Sequence, residues 1–123
     1  MSNYGHYNAQ YYGNKIIFPK ESFLIAGISF YQKNLENINF ESQLILKPEP
    51  TNKYDKEAIQ ILFDNKCIGY VPKNNYCKKI CQDNINNYLK IINIKRETDK
   101  SNFGIRVILD KYYTEDLKDL AIL

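Results

Sequence analysis

The chain has 123 residues, 44% apolar and 25% charged, with a net charge of +3. That length supports one domain with a modest core of its own. There is no apolar run of about eighteen residues and no signal-type segment, and Cys67, Cys77 and Cys81 are an odd set. A helical membrane protein and a disulfide scaffold are therefore excluded, and a soluble, intracellular, thiol-containing protein is expected.

Residues 1–15 read as a flexible Tyr- and Asn-rich arm. Tyr4, Tyr7, Tyr11 and Tyr12 lie there without a large aliphatic residue between Met1 and Gly13, so the segment cannot bury a core. His6, the one histidine, belongs to this arm. Residues 16–123 are expected to form the single compact domain. Ile16-Ile17-Phe18 is a short apolar cluster ended by Pro19. Phe23 to Tyr31 is a continuous apolar run and predicts the first strand, with Gly27 marking a bulge or a close backbone approach. A polar loop leads to a second strand over Asn39 to Leu46, with Phe40, Leu44 and Leu46 inward and Pro48 and Pro50 closing it.

The alternating run Ala58 to Phe63, the pair Asp64-Asn65 and the run Cys67 to Val71 predict a β-hairpin on a two-residue turn. Asn74 or Asn75 can then cap a helix to about Ile85, with Tyr76, Ile80 and Cys81 buried and Lys78 and Lys79 outward. Cys77 and Cys81 lack further ligands at metal spacing and are read as core. Strands follow at Tyr88 to Lys95 and Phe103 to Asp110, across a charged loop. Tyr112 to Leu123 suits a short closing helix with Leu117, Leu120 and Ala121 on one face. Six short strands with one helix between the fourth and fifth predict a mainly β fold, a small OB-like or SH3-like barrel.

The lone histidine, the absence of a Gly-rich phosphate loop and the lack of a metal-spaced acidic cluster argue against an enzyme, a cofactor or a metal site. A binding module is the better class. Eight basic residues against four acidic ones between Asn74 and Lys111 make either a phosphate-seeking patch or a solvated face. Eleven Tyr and six Phe supply either strand packing or stacking surface.

The order Glu49-Pro50-Thr51-Asn52-Lys53-Tyr54-Asp55-Lys56-Glu57-Ala58-Ile59, followed by Ile68-Gly69-Tyr70-Val71-Pro72-Lys73, resembles the HIRAN domain family. Upstream, Ala26-Gly27-Ile28-Ser29-Phe30-Tyr31 looks like that family's first strand, and the likeness covers about Ser22 to Asp110. The resemblance implies an OB-like barrel that binds single-stranded DNA at a free 3′ end. Characterised members are domains of fork-remodelling helicases, and this chain has no room for one. It would act as a stand-alone module in DNA repair, replication or mobile-element biology, with a helicase or nuclease as a partner in trans and no membrane.

Residue by residue, Asn52, Tyr54 and Asp55 match the loop that receives the terminal nucleotide. An ionised Asp55 would accept a hydrogen bond from a 3′-hydroxyl and repel a 3′-phosphate. Tyr54 offers a ring for the terminal base, and Asn52 a donor and an acceptor for its sugar or base edge. The alternative for Asn52 and Asp55 is that they fix the turn through side-chain to backbone bonds. Phe30 and Tyr31 match the family's stacking pair or are core. Tyr70 stands at its aromatic or His position, Lys73 at its basic residue near the phosphates, and Phe103 at a further stacking aromatic. The departure is Ser29, where characterised members carry Arg; losing that charged hydrogen bond costs about 1.5–3 kcal/mol. A protein-interaction or regulatory adaptor that has lost DNA binding is the competing reading.

Overall fold

A computed structural model describes residues 10–12, 15–96 and 103–117. Six antiparallel strands, β3 (Phe23–Leu24), β4 (Gln43–Pro48), β5 (Ile59–Phe63), β6 (Lys66–Tyr70), β7 (Tyr88–Arg96) and β8 (Phe103–Leu109), form one sheet in the order β3-β8-β7-β4-β5-β6. The sheet curls into a half-barrel, mainly β as expected, with helix α1 (Asn75–Asp83) between its fourth and fifth strands. A separate two-stranded ladder pairs β1 (Gln10–Tyr12) with β2 (Lys15–Ile17). The remainder of the arm expected over residues 1–15 lies outside the described residues.

Alternation along the strands builds the interior. Leu44, Ile61, Ile68, Leu89, Ile105 and Val107 are fully buried, and Leu46 nearly so. Phe40 packs against this core from its edge. A smaller cluster of Ile92, Ile108 and Leu117 lies under Phe18, Tyr112 and Tyr113. The β5–β6 hairpin turns on Asp64 and Asn65, both at positive φ (52° and 65°), the geometry that matches the strands' own twist. Farther along, its register shifts between Ile61 and Leu62, a bulge that adds bend next to the sheet's edge.

The two edges of the sheet meet at a seam. Ala26, just past β3, exchanges backbone bonds with Tyr70, the last residue of β6 (2.8 and 2.9 Å). Gly69 makes this approach possible. A Cβ there would collide with Ile25 and stand 2.6 Å from the Ala26 carbonyl oxygen.

The structure departs from the expected first strand. Pairing in β3 stops at Leu24, and Ile28–Leu35 is a 3-10 segment. Gly27, at φ 72°, turns the chain out of the sheet, and Phe30 N–H closes back on the Gly27 carbonyl (3.0 Å). Ile28 and Leu35 point inward while Ser29 and Phe30 are exposed. A continuous apolar run does not distinguish these two outcomes. β4 likewise starts later than expected, because Asn39 and Ser42 close a turn through mutual hydrogen bonds. Helix α1 is capped by Asn74, whose Oδ1 accepts from Cys77 N–H (2.8 Å). Cys77 and Cys81 are buried, as expected of them, while Ile80 is only partly covered and Tyr76, expected inside, is exposed. Lys79 faces outward, but Lys78 is drawn in by an ion pair. At the C-terminal end, one 3-10 turn at 115–117 brings Leu117 into the small cluster. Leu120 and Ala121 lie outside the described residues. Among the described residues no helix is long and apolar enough to cross a membrane.

Candidate functional site

A cavity of about 430 Å³ opens on the seam. Its walls come from the Ala26-Gly27 turn, Tyr31, the loop carrying Asn52, Tyr54 and Asp55, and the end of β6 with Tyr70, Val71 and Lys73. Residues far apart in sequence meet here because the edges of the half-barrel do.

The loop between β4 and β5 is held by its own polar side chains. Asn52 Oδ1 accepts from the N–H groups of Tyr54 (2.8 Å) and Asp55 (3.0 Å), an Asx turn that sets where both residues point. Asn52 Nδ2 donates to Glu49 Oε1 (2.6 Å). Glu49 also accepts from the Tyr70 hydroxyl (2.9 Å) and from the Gln60 amide. The Asn52 bond, with those from Tyr70 and Gln60, keeps the Glu49 carboxyl below the usual range against a modest opposing effect of burial. Burial, reinforced by donation to Glu49, pushes the Tyr70 hydroxyl up, so it stays a protonated donor. Tyr31 is raised too, chiefly by burial, and its ring lies 6.5 Å from that of Tyr70 at a 53° tilt. These two rings line one side of the cavity.

Asp55 is anchored from two directions. Its Oδ1 accepts from Glu57 N–H (2.9 Å), and its Oδ2 pairs with Lys78 Nζ on α1. Lys78 above all, then the Glu57 N–H, holds the Asp55 carboxyl below the usual range. Asp55 is therefore ionised at neutral pH, with two of about four lone-pair sites already used. Tyr54, next to it, is positioned by its backbone N–H on Asn52 and is 89% exposed. Phe30 is 85% exposed beside Gly27.

Of the residues singled out in the sequence, Tyr31, Asn52, Tyr54, Asp55, Tyr70 and Lys73 line this one cavity, and Phe30 stands next to its Gly27 wall. Phe103 opens β8 opposite Arg96, and its side chain lies outside the described residues. Asn52 lines the cavity and makes the turn-fixing bonds that were its alternative role. Its oxygen is taken by two backbone donors and one amide proton by Glu49, which makes it the loop's organiser. Two participants escaped the sequence reading. Glu49 precedes Asn52 by three residues, a spacing that suits a turn contact and could have pointed to it. Lys78 is 23 residues from Asp55, and nothing local announces their pairing.

The basic half of the chain is arranged differently. Lys90 Nζ sits 5.1 Å from the Tyr113 ring centre, Lys111 Nζ 5.5 Å from that of Tyr112, and Arg106 Cζ 4.4 Å from that of Phe18. Arg106 also donates to Ser22 Oγ (3.1 Å), and burial lowers its pKa. Among the described residues no group of three or more His, Cys, Asp or Glu is placed to hold a metal.

A curled half-barrel with exposed rings, a lysine and an anchored carboxylate on one seam cavity has the form of a binding module. The family model of the HIRAN domain matches residues 22–110, and the chain belongs to that family. HIRAN domains are DNA-binding modules, generally non-catalytic, known for taking single-stranded DNA at its 3′ end. No curated protein and no solved structure matches the chain.

Proposed function

We propose that this chain binds single-stranded DNA and takes the free 3′-hydroxyl end of the strand into the seam cavity. The observation that carries the reading is the Tyr54 ring, 89% exposed on the same cavity as Asp55 and Lys73. A ring so uncovered contributes little to the core, while a base stacked on it gains about 1–3 kcal/mol. Asp55 accepts the hydrogen bond of the terminal hydroxyl on its remaining lone pairs. Lys73 meets the adjoining phosphate, and Tyr31 and Tyr70 give the terminal sugar and base an apolar wall. Phe30 offers a platform for the next base. Asn52 serves indirectly, by holding Tyr54 and Asp55 in place. With Ser29 where the family pattern carries Arg, this phosphate path depends on Lys73. The biological setting that fits is DNA repair, replication or mobile-element biology inside the cell, with a helicase or nuclease acting in trans.

Fluorescence anisotropy with a short labelled strand ending in a 3′-hydroxyl or a 3′-phosphate tests the reading. The hydroxyl end is expected to bind more tightly, and Asp55→Ala to abolish that preference. Equal affinity for both ends, unchanged in the variant, rules out the pocket. Binding undetectable even at low salt transfers the barrel to the adaptor reading.

A further inference from the structure

We propose that Lys78 determines how this cavity treats the chemistry of a strand's last group, admitting a 3′-phosphate alongside the preferred 3′-hydroxyl. The inference rests on the end-binding reading above and adds a residue and a second ligand class to it.

The argument starts from charge. A lone carboxylate at the end of the pocket would exclude a terminal phosphate dianion by direct repulsion. Here Asp55 is not alone. Its Oδ2 is ion-paired with Lys78 Nζ, and the two side chains are only 18% and 14% exposed, so water screens the pair less than it would on an open surface. Lys73 lines the same cavity from the β6 side. Lys73 is engaged by the adjoining phosphate, so Asp55 and Lys78 together leave this end near neutral, where the carboxylate alone would give −1. A phosphate brought to this end therefore meets little of the repulsion that a lone carboxylate would exert.

Geometry permits the exchange. Asp55 keeps its place without Lys78, because Glu57 N–H binds Oδ1 and the Asx turn fixes the Asp55 backbone. Lys78 projects from a helix whose first turn is pinned by Asn74, so its ammonium is delivered to one spot on a flexible four-carbon stem. Lys78 reaches Asp55 from behind the seam cavity's own lining: it borders a neighbouring surface hollow with Glu57, Lys79 and Gln82, which leaves room for the stem to move. With a hydroxyl end Lys78 stays on Asp55. With a phosphate end its protons can be shared between the Asp55 carboxylate and a phosphate oxygen.

The test is competition anisotropy with the full chain and three unlabelled strands of one sequence: 3′-hydroxyl, 3′-phosphate and circular. The wild-type protein should favour hydroxyl over phosphate only a few-fold. Lys78→Met, which keeps the stem and removes the charge, should widen that ratio by about tenfold, mainly by weakening the phosphate arm. Lys78→Arg should keep the wild-type ratio. In Asp55→Asn, Lys78 loses its partner and the phosphate end should become the better ligand; adding Lys78→Met should remove that gain. This pair of variants decides the matter if Lys78→Met alone folds poorly. A hydroxyl-to-phosphate ratio unchanged by Lys78→Met, with linear strands still beating the circle, overturns the role of Lys78 and leaves the end pocket standing. Circular and linear strands binding alike overturns both.

Discussion

The seam face and the β7–β8 half of the barrel draw on the same side-chain types and use them in opposite ways. On the β7–β8 half, cations are laid over the chain's own rings: Lys90 on Tyr113, Arg106 on Phe18 and Lys111 on Tyr112. At the seam, Phe30 and Tyr54 are left uncovered, and the cations Lys73 and Lys78 stand around a carboxylate. Counting charge along the chain points to the first region. Presentation points to the second. A ring already satisfied by a neighbouring cation stabilises the fold, whereas a ring held up by a rigid turn with nothing over it is available to a base.

The largest expected effect attacks the seam itself. Gly69→Ala puts a methyl group against Ile25 and the Ala26 carbonyl, so the edges of the sheet must part. A loss of about 1–3 kcal/mol in denaturant unfolding is expected, together with loss of strand binding. Next, Tyr54→Ala should weaken single-strand binding by about 1–3 kcal/mol while leaving the melting temperature unchanged. Phe18→Ala should do the reverse, lowering stability without changing affinity. If the two variants behave alike, the contrast between the regions fails.

A smaller effect separates the lysines. Lys73→Ala should reduce the slope of log affinity against log salt by about 0.7, the value for one phosphate contact on a single strand, and Lys90→Ala should leave it unchanged. The smallest effect is on acid stability. Glu49 and Asp55 have lowered pKa values in the fold, so their contribution is fully present above the unfolded carboxylate range near about 4 and is lost as pH falls through their folded values. Glu49→Gln should therefore flatten the acid limb of a stability-against-pH curve. Retention of the full wild-type limb would contradict the role given to Glu49 in holding the loop.

Much of this architecture was legible in the chain because its signals are local. The alternation over Ala58 to Phe63 and the Asp64-Asn65 turn predict the β5–β6 hairpin, and the observed positive φ values fit that turn chemistry. The gathering of Tyr54, Asp55, Tyr70 and Lys73 followed from the family order in which they occur. Two features were not legible. Phe23 to Tyr31 carries no alternation, so hydrophobicity alone could not say that Gly27 ends the pairing and throws Phe30 outward. The other is Lys78, expected to face outward: its turn toward Asp55 is a contact set by how α1 packs against a distant loop.

The central claim, that the seam face and not the basic half receives the strand, is tested most directly by amide chemical-shift mapping. Uniformly ¹⁵N-labelled protein would be titrated with a short oligothymidylate ending in a 3′-hydroxyl. The predicted result is saturable perturbation concentrated at Gly27 to Tyr31, Asn52 to Asp55 and Gly69 to Lys73, with the amides of Lys90 and Arg106 unmoved. Perturbations centred on β7 and β8, with Tyr54 and Asp55 silent, would contradict it.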